Sequence, residues 1–139
     1  MRYLGLDIGD RWIGVALSDP SAKLASPLTI LKRNDDTADV ETIVSIIEKH
    51  DVGLVVVGLP RMLNGSLGIQ SQKVEAFTRQ LQDRIDIPVE FRDERLTTVS
   101  ARRLMRAAGT KKSRRKGDDA IAAAVILQAF LDEDQSQLA

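Results

Sequence analysis

The chain has 139 residues, no cysteine and one histidine, and 20 Lys and Arg balance 20 Asp and Glu to a formal net charge of zero. That length predicts one domain, 1–139, able to bury a core without a disulfide or a structural metal. The composition excludes disulfide frameworks, Cys-ligated zinc, thiol nucleophiles and chemistry built on a histidine pair, leaving carboxylates, hydroxyls and cations.

Met1-Arg2 leads straight into a strand-like run, with no apolar segment followed by a cleavage site. No apolar run approaches the roughly 18 residues of a membrane helix. The expected setting is cytoplasmic, with no membrane partner. Tyr3 to Ile8 and Trp12 to Leu17 read as a hairpin around Gly9-Asp10, and Leu28 to Leu31 reads as a third strand. Period-two alternation puts Leu4, Leu6 and Ile8 on one face of the first strand and Gly5, Asp7 and Gly9 on the other. An ionised carboxylate inside an apolar strand requires a partner, and glycines on either side promise open space above it. The alternative is an aspartate bonded to backbone amides near a turn.

Val40, Ile43, Val44 and Ile47 give Asp39 to His50 a helical period, and Leu54 to Val57, apolar on both faces, suits a central strand. His50 ends its helix, where a cation suits the dipole, and no catalytic role is expected of it. Gly58 to Gly68 reads as a loop. Arg61 and the backbone around Gly65 are suited to contact phosphate, or the glycines serve turn geometry alone. A helix through Val74, Phe77, Leu81 and Ile85 is expected to end by Pro88, and Val89 to Arg92 reads as a strand. Glu94 follows it, pointing opposite to Val89 and Phe91, at the carboxyl edge where sites of α/β sheets collect. Arg95 is placed to orient a carboxylate or to make a surface ion pair.

Thr97 or Thr98 is a suitable cap for a helix to about Ala108, closed by Gly109. Lys111, Lys112, Arg114, Arg115 and Lys116 crowd together, and 111–118 is expected to be a mobile basic loop that neutralises phosphates. Ala120 to Leu131 is apolar nearly all round, a buried helix. Asp119 opens it, either as an N-cap or as a ligand favoured by the helix dipole. The polar tail 132–139 is expected to fray. Aromatic residues are 4% of the chain, so recognition is expected to rest on backbone and shape rather than on stacking.

This order predicts an α/β fold, an antiparallel meander extended by parallel strands with helices packed on it. Three carboxylates, Asp7, Glu94 and Asp119, come from distant parts of the chain. If they converge, their oxygen-only ligation suits Mg2+ or Mn2+, and two such ions can clamp the attacking water and leaving oxygen of a phosphodiester.

Several motifs resemble the YqgF family, also called RuvX, candidate pre-16S ribosomal RNA nucleases similar to Holliday junction resolvases. They are Leu6-Asp7-Ile8-Gly9 with Ile13-Gly14-Val15-Ala16, Val57-Gly58-Leu59-Pro60 with Asn64-Gly65, Phe77, Asp93-Glu94-Arg95-Leu96-Thr97-Thr98, and Asp119 with Ala122-Ala123 and Ile126-Leu127-Gln128. The resemblance runs nearly end to end. It implies a ribonuclease H-like fold, a central mixed five-stranded sheet with helices on both faces. It also implies catalytic and metal-binding Asp7, Glu94 and Asp119, and trimming of precursor ribosomal RNA ends. The family usually carries an apolar residue where Asp118 stands, which leaves Asp118 as a further ligand or a helix cap. Precursor ribosomal RNA is the expected partner, with branched DNA the alternative, and the state a monomer or weak homodimer. Two other readings are a non-catalytic RNA-binding module and an ATP-binding fragment, because Asp7-Ile8-Gly9 with Gly14-Val15-Ala16 also resembles the first phosphate motif of sugar kinases and actin-like ATPases. The chain is too short to hold the two domains those kinases need.

Overall fold

The computed structural model describes residues 1–60, 68–93 and 117–138, with backbone alone for 117–119 and 134–138. Its strands are β1 (Arg2–Ile8), β2 (Trp12–Ser18), β3 (Ala25–Lys32), β4 (Val52–Leu59) and β5 (Val89–Asp93), and its helices are α1 (Asp36–His50), α2 (Ile69–Gln82) and α3 (Gly117–Leu138). The strands form one mixed sheet in the order β3-β2-β1-β4-β5. The β1–β2 and β2–β3 pairs are antiparallel, while β1–β4 and β4–β5 are parallel. This is the expected ribonuclease H-like sheet, with helices on both faces.

The two faces are packed differently. Leu4, Leu6, Ile8, Ile13, Val15, Val55, Val57 and Leu59 turn to one side, where Val40, Ile43 and Ile47 of α1 and Val74, Phe77 and Leu81 of α2 cover them. On the other side Ala16, Ala25 and Val56 meet Ala123, Ala124, Ile126, Leu127, Phe130 and Leu131 of α3.

Several elements end elsewhere than the sequence suggests. Helix α1 begins earlier, because Asp35 caps it by accepting from the Ala38 amide. Helix α2 stops at Gln82, short of Ile85, and Ile85 and Ile87 pack against the core from the connecting turn. Gly117 and Asp118, expected in the basic loop, belong to α3. The tail expected to fray is helical to Leu138. It holds no glycine or proline to stop the helix, and its start is tied down: Gln128 Nε2 donates to Asp132 (3.0 Å) and Arg92 Nε to Glu133 (3.0 Å). No helix among the described residues is long and apolar enough to cross a membrane.

Candidate active site

Asp7 lies half-buried on β1, on the face that α3 covers. Its partner on β2 is Gly14. On β4 the Leu6–Val57 pair is followed by Gly58, itself paired with Arg92 of β5. The positions level with this carboxylate on both flanking strands are therefore glycines. Gly5 plays another part than the open space expected of it. A Cβ there would lie 2.8 Å from both the Ala123 carbonyl oxygen and Leu127 Cβ, so Gly5 is the seat on which α3 comes down close to the sheet.

That seat sets the level of the helix. Phe130 lies against Tyr3, ring centroids 5.8 Å apart, while Ala123 and Leu127 lie over Gly5. Helix α3 thus runs back along β1. From Gly5 to Asp7 is roughly 6.7 Å of strand, and from Ala123 back to position 119 is about 6 Å of helix. The first turn of α3, with Asp118 and Asp119 in its backbone, comes level with Asp7. Glu90 and Arg92 share this face of β5, with the Arg92 guanidinium 4.7 Å over the Phe130 ring.

Glu94, Arg95, Arg61, Gly65, Lys111, Lys112, Arg114, Arg115 and Lys116 lie outside the described residues, as does the helix expected from Thr97 or Thr98. Of the three carboxylates, Asp7 alone has a described side chain. Among the described residues no three ligating side chains gather.

The turn after Asp7 is anchored by a residue the sequence did not single out. Arg33 donates to the Gly9 carbonyl (2.8 Å), to Asp39 (2.8 Å) and to Asp36 (2.6 Å), and its guanidinium lies 5.1 Å over the Phe77 ring. Asp39 is 4% exposed and also accepts from the Asn34 amide. The signal was present: Asp39 shares the inward face of α1 with Ile43, and a buried carboxylate demands a cation. Beside this knot, Ile8, Asp10, Arg33, Asn34, Gln70 and Lys73 line a cleft of about 300 Å³, with Lys73 3.5 Å from Asp10.

Residues 1–133 match the RuvX family, described as Holliday junction resolvase. The chain belongs to this family. A Dehalococcoides mccartyi relative is 52% identical over 91% of this chain and 94% of its own, and one from Thermoanaerobacter pseudethanolicus is 44% identical over 99% and 100%. Both are named candidate pre-16S rRNA nucleases. Among solved structures, the RuvC of T. thermophilus in complex with a Holliday junction superposes with a TM-score of 0.68 at 14% identity, over 97% of this chain and 96% of its own. At that identity the likeness shows the fold. Family and relatives together make this RuvX member a nuclease, a hydrolase of phosphodiester bonds.

Proposed function

We propose that this RuvX chain trims the ends of precursor 16S ribosomal RNA by divalent-metal-dependent hydrolysis, with Asp7, Glu94 and Asp119 as its catalytic carboxylates. The observation that carries the reading is the descent of α3 onto Gly5, which brings the first helical turn level with Asp7. Glu94 enters the reading from the sequence alone, through the Asp93-Glu94-Arg95 motif that resembles the family's. The relatives' names point to ribosomal RNA as substrate.

A hard divalent cation fits the donors at this corner. They are carboxylate oxygens, with no thiol in the chain, and Asp7 stands between two strands that present glycine. Mg2+ or Mn2+ held there would lower the pKa of a bound water and neutralise charge on the leaving oxygen. Asp7 and Asp119 hold the cations, and Glu94 holds a cation or orients the water. Helix α3 directs its positive end toward the same anionic cluster. Arg61, Arg95, the Gly65 backbone and the cations from Lys111 to Lys116 bind phosphates and fix the RNA in register.

The test is cleavage of a precursor 16S RNA end beside a four-way DNA junction. Wild type should cut the RNA with Mg2+ or Mn2+ and fail with a chelator, and Asp7→Asn should be inactive while melting like wild type. Cutting by Asp7→Asn at the wild-type rate would overturn the mechanism. Preference for the junction would reassign the substrate to branched DNA.

A further inference from the structure

A second cleft, of about 260 Å³, opens at the amino edge of β1, where Arg2 stands five residues before Asp7, roughly 17 Å of strand away. Its walls are largely apolar. Leu17 joins it to the aliphatic core, and Leu24, Pro27 and Leu28 carry it outward. Leu24 is 60% exposed and Leu28 37%. One exposed leucine is ordinary, but two that line the same cleft make a continuous apolar surface. Local structure holds both in place. The Asp19 carboxylate accepts from the Lys23 and Leu24 amides (2.8 Å each) and from the Ser21 hydroxyl, and the Asp19 amide donates to the Leu24 carbonyl (3.1 Å). That loop presents Leu24. Leu28 falls at a register shift: Val15 pairs with Thr29 and Ala16 with Pro27, so Leu28 has no partner on β2. A bulge re-aims a side chain, and this one serves the cleft. Arg2 is half-buried at the wall, beside His50 from the end of α1. Among the described residues its guanidinium has no ion pair and no hydrogen bond, and the nearby Asp19 is taken up by its own loop.

We propose that this cleft and the outer edge of β3 dock a short extended peptide of a partner protein, an aliphatic side chain filling the cleft and an acidic one reaching Arg2. The charge follows from the guanidinium, since a half-buried cation without a counter-ion is costly and a carboxylate relieves that cost. The backbone follows from β3, the outermost strand of the described sheet, whose outward N–H and C=O groups can accept an added strand. Pro27 has no N–H to give, which confines the added strand to Leu28 through Leu31 and keeps the segment short. Side chains two positions apart on an extended chain share a face, so the aliphatic and acidic groups of the partner are spaced in that way. Aliphatic walls give a nucleobase no ring to stack on, and a fatty carboxylate would meet Arg2 but leave the strand edge unmatched. Because the cleft and Asp7 stand at opposite ends of β1, a docked partner leaves the edge that carries Asp7 open.

The test uses short labelled peptides of alternating valine and threonine, with leucine or serine at the centre and glutamate, glutamine or lysine two positions on. Each is titrated into the full chain and followed by fluorescence anisotropy and by backbone amide chemical shifts. The peptide with leucine and glutamate should bind most tightly, moving the amides of Arg2, Leu24, Leu28 and His50. Glutamine in place of glutamate should weaken it about tenfold, the scale of a hydrogen bond between charged groups. N-methylation of the peptide backbone should remove binding. These comparisons need no variant of the protein. Arg2→Gln should abolish the glutamate preference while leaving the affinity of the glutamine peptide unchanged, and Leu28→Ser should weaken only the leucine peptides. Amides unmoved at millimolar peptide, or equal affinity for the glutamate and lysine peptides, would overturn the site. Equal binding after N-methylation would overturn the added strand. Stronger shifts of the same amides with decanoate, with oligouridine or on self-association would overturn the peptide as occupant, in favour of a fatty carboxylate, RNA or a second copy of this chain.

Discussion

The two faces of the sheet do different work. Under α1 and α2 the sheet presents Leu4, Leu6, Ile8, Ile13, Val55 and Val57, all essentially inaccessible, and interlocks them with Ile43, Val74, Phe77 and Leu81. Under α3 it presents Gly5, Ala16 and Ala25 beside Val56, with Tyr3 and Leu54 at the margin, and Gly5 is where Ala123 and Leu127 come closest. Bulky aliphatic side chains bury the most apolar area per residue and hold the fold. Small ones let a helix come close, and that closeness brings the start of α3 level with Asp7. The contrast separates a face for stability from a face for placement.

The sharpest way to break this division is Asp7→Asn. Changes one shell away from a metal typically cost 10–100-fold in activity, so loss of a direct ligand should cost more than about 100-fold, with the melting midpoint near wild type. Loss of fold along with activity would merge the two faces. On the other side, Arg33→Met strands buried Asp39 without its cation, which should cost about 3–5 kcal/mol in chemical unfolding. The freed Gly9 carbonyl should also slow cleavage by the protein that remains folded. Leu6→Ala empties a fully buried site and should cost about 2–5 kcal/mol, with cleavage per folded molecule nearly unchanged. A large activity loss there would show that the aliphatic face also positions the site.

Gly5→Ala probes the boundary between the faces. Its methyl would press on Ala123 and Leu127, and overpacking of this kind costs about 1–3 kcal/mol. Because the helix must move away, activity should fall further than stability alone explains. The smallest effect lies at the far end of the sheet. The Leu24 amide, the Ser21 hydroxyl and the Lys23 amide hold the Asp19 carboxyl well below its ordinary range. A carboxyl depressed in the fold stabilises fully above about pH 4 and loses that contribution as pH falls through the folded value. Asp19→Asn should therefore flatten the acid limb of midpoint against pH and leave cleavage at neutral pH unchanged.

Much of this was legible in the chain itself. The alternation of Leu4, Leu6 and Ile8 against Gly5 and Asp7, the all-apolar Val55 to Val57 and the 3.6-residue period of α1 are local patterns. Burial acts on them through strand and helix geometry, so a reader of the sequence can assign faces. The motifs around Asp7, Gly58 and Asp119 identified the family. Element ends were less legible, because they depend on competing contacts. Asp35 caps α1 early, while a long-range pair between Arg92 and Glu133 secures the helix past Leu131.

Only the tertiary structure decided what the glycines and cations are for. Gly5 reads in one dimension as space above a carboxylate, yet in the fold it is filled by a helix backbone, and Gly14 and Gly58 are the residues that flank Asp7. Arg33, which no sequence pattern singled out, ties the turn after β1 to both helices of the aliphatic face. The physical reason is common to both. Periodicity encodes which way a side chain points, whereas what it meets there depends on how segments distant in sequence pack.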